Sequence, residues 1–259
     1  MSNIFADLQR LSMKQSMTDV TSARKSLNAI VNYFKHRPDY MELVTVFADK
    51  VRNLNVSTLL GADSFMVQDL LVTDIPESLR HDSYGFCHGS SLVFDGRYVY
   101  PVKDVMGDVM GFCGYDAFSD TKYLDSRNYG YVAKTYSLWG MERMREYYNS
   151  TDPVFFVEGI VCALYLRQCG LQSLAFLGSM PSRYVIEIMR RFGTRAITVI
   201  DSDEAGLACR KYLHRALPSL RVVQSAVAKD IDDSRKVVPE FADELHKLTN
   251  PFYRSDLFY

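Results

Sequence analysis

The hydrophobic and polar positions of the chain fall into three regimes. In the first eighty residues, apolar side chains recur at three- and four-residue spacing. Ala23, Leu27, Ile30, Val31 and Phe34 share one helical face, and Pro38 closes that segment. A second helix is expected from Asp39, where Asp39 and Glu42 have capping-box spacing ahead of Leu43, Val44, Val46, Phe47, Val51 and Leu54. This stretch predicts a small helical bundle or arm with no chemistry of its own. From about residue 90 the segments become short, β-prone and punctuated by glycine: 92–94, then Asp95-Gly96, then 97–102. Asp-Gly between two such runs predicts a hairpin. Pro101 puts the second run at an edge or a bulge. A turn around Met106, Gly107 and Asp108 leads into 109–115, completing a small antiparallel sheet.

After Pro153 strands and helices alternate. Strands are expected at 154–157, 174–177, 196–200 and 221–227. Between them come a helix over 160–169 ended by Gly170, and a helix capped by Ser179, with Pro181 in its first turn, running to Gly193. A third helix, over 204–217, is stopped by Pro218. Apolar strands joined by single helices predict a parallel sheet wound by right-handed crossovers, with helices on both faces. The fold class is α/β, divided as a helical region over 1–80, a β-rich subdomain over 81–152, a parallel-sheet domain over 153–235, and a C-terminal helix with an aromatic tail over 236–259.

Composition narrows the function classes. A hydrophobic content of 47% in 259 residues supports a buried core and excludes general disorder. Thirty basic against thirty-one acidic residues leave a net charge of −1, so any contact with nucleic acid needs a local patch. The five cysteines, Cys87, Cys113, Cys162, Cys169 and Cys209, are odd in number and form no Cys-x-x-Cys pair. That argues against a disulfide framework and a zinc ribbon, and no zinc is expected. With no basic leader at the start and no run of about twenty apolar residues, a soluble, cytoplasmic protein without membrane contact is expected.

The chemistry-bearing residues follow the strands. Ligands of such sheets gather beyond the carboxyl ends of the strands. Glu158 ends the first strand, with Gly159 next. Asp201 and Asp203 end the third, and Asp230 and Asp232 follow the fourth. Each motif alone is weak, since an isolated Asp-x-Asp is usually a solvated loop or a helix cap. The order gives weight, because it sets all five acids on one side of the sheet. Like charges converging at about 4 Å repel by roughly 4 kcal/mol per pair, so the cluster calls for a cation. Carboxylates without nearby histidine or cysteine ligands select magnesium or manganese, which suits phosphoryl transfer.

That order resembles the TOPRIM domain of primases, topoisomerases and some nucleases, over about residues 153–235. The matching motifs are Glu158-Gly159, Leu177-Gly178-Ser179, Asp201-Ser202-Asp203-Glu204-Ala205-Gly206 and Lys229-Asp230-Ile231-Asp232, where the family usually has proline in place of Ile231. The stretch from about 92 to 142 is similar to the strand-rich half of the bacterial and bacteriophage DNA primase core (DnaG-type). It contains Arg97-Tyr98-Val99-Tyr100-Pro101-Val102-Lys103-Asp104, Gly111-Phe112-Cys113-Gly114, Lys122-Tyr123-Leu124-Asp125-Ser126 and Leu138-Trp139-Gly140. The resemblance implies a magnesium-dependent nucleotidyltransferase of phage type that makes RNA primers from ribonucleotides on single-stranded DNA. Glu158, Asp201 and Asp203 are then catalytic, and these three with Asp230 and Asp232 hold the metal. Arg97, Lys103, Lys122 and Lys134 contact nucleic acid or nucleotide phosphates, forming a basic face opposite the acids. A TOPRIM nuclease and a non-catalytic replication accessory protein are the alternatives.

Cys162 stands where many members have an aspartate. The zinc-binding domain and the large helicase-binding region of the family are not matched. Template recognition is then expected from a separate subunit or from the first eighty residues. The tail, with Phe252, Tyr253, Leu257, Phe258 and Tyr259, either folds back onto its own domain or docks on a partner such as the replicative helicase.

Overall fold

The computed structural model describes residues 17–49, 54–81, 84–126, 138–254 and 256–258, which form two compact units divided between Ser137 and Leu138. The helices of the first eighty residues therefore share a unit with the β-rich segment, and residues 138–152 belong with the parallel sheet.

In the first unit, helix α1 (Met17–Lys35) buries Ala23, Leu27, Ile30, Val31 and Phe34, the face its periodicity sets out. Helix α2 (Tyr40–Phe47) starts where expected, but Asp39 does not cap it through its side chain. Both of its carboxylate oxygens take the Arg37 guanidinium instead, at 2.9 and 2.6 Å. Tyr40, Val44 and Phe47 face inward, Val46 faces solvent, and Val51 lies outside the described residues. After α3 (Val56–Gly61) comes a strand within the region expected to be helical, β1 (Phe65–Val67). Its two outer residues are buried and Met66 between them is not, the alternation of a half-buried strand.

The Asp95-Gly96 expectation is corrected by the sheet pairing. Asp95-Gly96 does make a turn, with Gly96 at φ 70° and the Arg97 N–H donating to the Phe94 carbonyl at 2.9 Å. The runs on either side, however, join different sheets. Strand β2 (Cys87–His88) pairs with β3 (Ser91–Leu92), whereas β4 (Arg97–Lys103) lies in a four-stranded antiparallel sheet with β1, β5 (Val109–Tyr115) and β6 (Tyr123–Asp125), in the order β1-β4-β5-β6. β1 reaches along β4 only to Val99, so Pro101 has a ladder partner on the β5 side alone, and a bulge follows at Val102/Lys103. Helix α1 is tied to the β4–β5 turn by Arg24, 2.9 Å from the buried Asp104, whose carboxylate also accepts the N–H groups of Met106 and Asp108. Stacked Phe34 and Phe65, with Phe86, Phe94 and Phe112, fill the space between helix and sheet.

The second unit contains α4 (Met144–Asn149), β7 (Val154–Val157), α5 (Ile160–Gln168), β8 (Gln172–Ala175), α6 (Arg183–Phe192), β9 (Ala196–Ile200), α7 (Glu204–Ala216), β10 (Arg221–Gln224), α8 (Ile231–Val237) and α9 (Phe241–Lys247). The four strands are parallel in the order β10-β9-β7-β8, and every residue of β7 and β9 is buried. The chain moves one way from β7 to β8 and the other way from β8 to β9 and on to β10. Right-handed crossovers then place α5 on one face and α6 and α7 on the other, and α8 packs on α5. Helix α6 begins three residues later than its sequence suggests. The Ser182 hydroxyl, not that of Ser179, accepts the Val185 N–H, and Pro181 precedes the helix.

Both edges of this sheet are closed by single antiparallel bridges, Trp139 to Ala175 beside β8 and Phe258 to Ser225 beyond β10. The second bridge settles the tail, which folds back on its own unit. Phe258 is 6% exposed and meets the Phe241 ring, and the Tyr253 hydroxyl donates to Glu244 at 2.9 Å. Arg221 donates to the Asn250 and Tyr253 carbonyls at 2.9 and 3.1 Å. Phe252, 88% exposed, remains outside. Among the described residues no helix is long and apolar enough to cross a membrane.

Phe258→Ala is expected to cost about 3 kcal/mol, the usual loss for a buried ring, and to lower the melting temperature by roughly 6–12 °C. An unchanged melting temperature would contradict the packing of the tail.

Candidate functional site

Strands β7 and β9 are neighbours, with Val157 level with Val199, and the direction of winding reverses between them. Such a switch point leaves a crevice at the carboxyl ends of the strands. Glu158 and Asp201 occupy it. A Glu158 carboxylate oxygen accepts the Asp201 N–H at 3.3 Å. Burial pushes the Glu158 carboxyl above its ordinary value against the pull of that N–H, and the charges of Asp203 and Asp230 add to the push. Burial, followed by Glu158 and Asp230, raises Asp201 to about 7.

Asp203 is placed differently. It caps α7, accepting the Gly206 N–H at 2.9 Å, and that bond, with Lys229, holds its carboxyl below the usual range. Asp230 caps α8 in the same way, accepting the Asp233 N–H at 2.8 Å. The Lys229 ammonium stands 3.2 Å from Asp203 and 3.8 Å from Asp201, and its carbonyl accepts the Ser202 N–H at 2.7 Å. Four of the five expected acids are thus in electrostatic reach of one another. The fifth, Asp232, lies one helical turn before Arg235 and Lys236 and pairs with both, at 2.8 and 3.1 Å.

The main chain around Asp201 is fixed from several sides. A Cβ at Gly206 would stand 1.9 Å from the Asp201 carbonyl oxygen, so only glycine lets α7 approach so closely. The buried Gln224 side chain donates to the same carbonyl at 2.9 Å and is itself held by Arg210 at 3.1 Å. The Ser202 hydroxyl donates to the Ser225 carbonyl. Cys162 lies buried in a pocket of about 10 Å³ with Glu158, Asp201 and Ile231, and burial pushes its thiol well up, so it is a neutral neighbour.

These residues fit a hard cation by their chemistry: oxygen donors only, two of them half-buried beside like charges. Among the described residues no three converge closely enough to chelate an ion as they stand, and Lys229 holds two of them. Lys229, Gly206 and Gln224 were not singled out as site residues from the sequence, although the first two flank or belong to the acidic motifs.

The expected basic residues lie in the first unit. Arg97 donates to the Thr121 carbonyl and the Ser119 hydroxyl, at 3.0 and 3.1 Å. Lys103, together with Lys35, closes on the Asp63 carboxylate, a non-glycine residue at φ 53°. Lys122 is exposed, and Lys134 lies outside the described residues.

Comparison with known proteins finds similarity to DNA primases. No family model matches the chain. It is 27% identical over 164 residues to the DNA primase of Borreliella burgdorferi, covering 62% of this chain and 31% of that one. To the DNA primase of Aquifex aeolicus it is 28% identical over 166 residues, covering 61% and 33%. The chain thus spans about a third of the length of these relatives. Among solved structures, the zinc-binding and RNA polymerase domains of the Aquifex aeolicus primase superpose with a TM-score of 0.71 at 20% identity, covering 92% of this chain and 62% of that one. A DnaG primase catalytic domain bound to single-stranded DNA gives 0.71 at 19% identity, covering 88% and 83%. The fold is that of the DnaG-type catalytic core.

The raised Asp201 has a measurable consequence. Its folded value of about 7 exceeds the unfolded value, so the folded state binds more protons between them and stability falls as pH rises from about 4 through 7. In metal-free protein Asp201→Asn is expected to be more stable than the parent at pH 8, on the order of 4 kcal/mol, with the difference shrinking to about 1 kcal/mol near pH 4.5. Urea titrations at the two pH values check this, and a difference independent of pH would contradict it.

Proposed function

We propose that this chain is the catalytic core of a DNA primase, which joins ribonucleotides into short RNA primers on a single-stranded DNA template. The observation that carries the reading is the pairing of Glu158 with Asp201 at the switch point, with Asp203 and Asp230 beside them, on a fold shared with primase cores. The similarity in sequence to DNA primases supports the same reading.

In this account Glu158, Asp201, Asp203 and Asp230 hold magnesium or manganese. When bound, the metal offsets the clustered negative charge and stabilises the charge that builds on the transferring phosphoryl group. The protein's own residues supply position and charge. Glu158 uses one carboxylate oxygen to hold the Asp201 backbone N–H. Glu158 is also a group in the crevice able to take the proton of an attacking hydroxyl. Asp203 and Asp230, each fixed by a helix N-terminus, orient the cation, and Asp203 is held below the usual carboxylate range. Lys229, beside Asp201 and Asp203, is placed to meet the phosphates of an incoming nucleotide. Asp232, engaged with Arg235 and Lys236, supports α8 rather than the metal. Lys122 and Lys134 carry template or nucleotide phosphates, while Arg97 serves the loop it braces and Lys103 neutralises Asp63.

Purified protein incubated with ribonucleotides, magnesium or manganese and varied single-stranded DNA is expected to make short RNA. Glu158→Gln and Asp201→Asn should each lower the rate at least a hundredfold with the fold retained. No product on any template would contradict the reading. Cleavage of the strand in the absence of ribonucleotides, lost in the same variants, would replace it with a nuclease.

A further inference from the structure

The loop between β5 and β6, residues 116–122, is polar and closely bonded to itself, yet carries a phenylalanine near its tip. The Asp116 N–H donates to the Lys122 carbonyl at 2.9 Å, closing the loop. The Asp116 carboxylate accepts the Phe118 N–H at 2.9 Å, and the Ser119 hydroxyl accepts the Thr121 N–H at 3.3 Å. Arg97 braces it from β4, with donors on Ser119 and on the Thr121 carbonyl. On this fixed base the Phe118 ring is 92% exposed, the highest value among the large apolar side chains described. Lys122 is exposed at the foot of the loop, and Tyr123 beside it is 39% exposed, its ring against Tyr115.

An aromatic ring left in water forgoes the burial that ordinarily holds it. Its loop neighbours Asp116, Ser119, Asp120 and Thr121 are polar, so the described loop offers no apolar patch around it to seat a protein partner. A lone, pre-positioned ring followed by an ammonium suits a flat π-face whose backbone carries negative charge.

We propose that Phe118 is a stacking platform for an unpaired base of single-stranded nucleic acid, with Lys122 at the adjoining phosphate and Arg97 as the positioning residue of the loop. The proposal rests on the primase reading.

The test is fluorescence anisotropy of the full chain with a labelled single-stranded oligothymidylate and with an abasic strand of equal length. Phe118→Ala and Phe118→Leu should each weaken binding to the oligothymidylate about tenfold, and Phe118→Trp should restore it. On the abasic strand all four proteins should bind alike. Melting temperatures should be unchanged, since the ring is outside the core. Wild-type affinity in Phe118→Ala, or in Phe118→Leu, overturns the proposal alone, the latter by showing an apolar contact rather than stacking. Failure of the wild-type chain to bind either strand overturns the primase reading together with the proposal.

Discussion

The structure turns on a repulsion. Two fully buried parallel strands, β7 and β9, end side by side, and each is followed at once by a carboxylate. Strand register brings Glu158 and Asp201 together whatever their charges prefer. The other two acids are relieved locally, because Asp203 and Asp230 each cap a helix and meet the positive end of its dipole. Glu158 and Asp201 have no such helix, and their carboxyls are pushed up. The site therefore divides into acids set at helix N-termini and the pair at the switch point, whose charge calls for a cation.

The surrounding structure holds that pair against its own repulsion. Gly206 lets α7 close on the Asp201 carbonyl, Gln224 grips the same carbonyl from β10 while Arg210 of α7 holds the Gln224 side chain, and Ser202 bonds the chain beyond β10. The sheet cannot extend easily at its edges, because Trp139 and Phe258 bridge them. The tail thus contributes to the frame: the Leu257 carbonyl accepts the Ala226 N–H beside the serine that holds Ser202.

Much of this is legible in the sequence, for definite reasons. The parallel sheet can be read because Val154–Val157 and Ala196–Ile200 are unbroken apolar runs, and the acids because they follow those runs directly. Tertiary choices hid the rest. The pairing of Asp232 stays hidden until α8 is seen to begin at Ile231, after which Arg235 and Lys236 fall three and four residues on, on its own side of the helix. Asp95-Gly96 makes its turn but not its hairpin, since Ser91–Leu92 finds Cys87–His88 before Arg97–Lys103 is reached. Ser179 and Ser182 offer the same chemistry, and only the position of the Val185 N–H selects between them. Arg97 and Lys103 show the limit for charged side chains, whose partners at Ser119 and Asp63 are distant in sequence and leave no local signal.

The central claim is that the charge of Glu158 and Asp201 is answered by a divalent cation. The most direct measurement is the melting temperature at pH 8 with and without magnesium, for the parent chain and for Asp201→Asn. A ligand that binds only the folded state at a hundred times its dissociation constant adds about 2.7 kcal/mol, a rise of several degrees. The account predicts that rise in the parent chain and its loss in Asp201→Asn. Equal melting temperatures for the parent with and without the ion, at saturating magnesium and at saturating manganese, would contradict it.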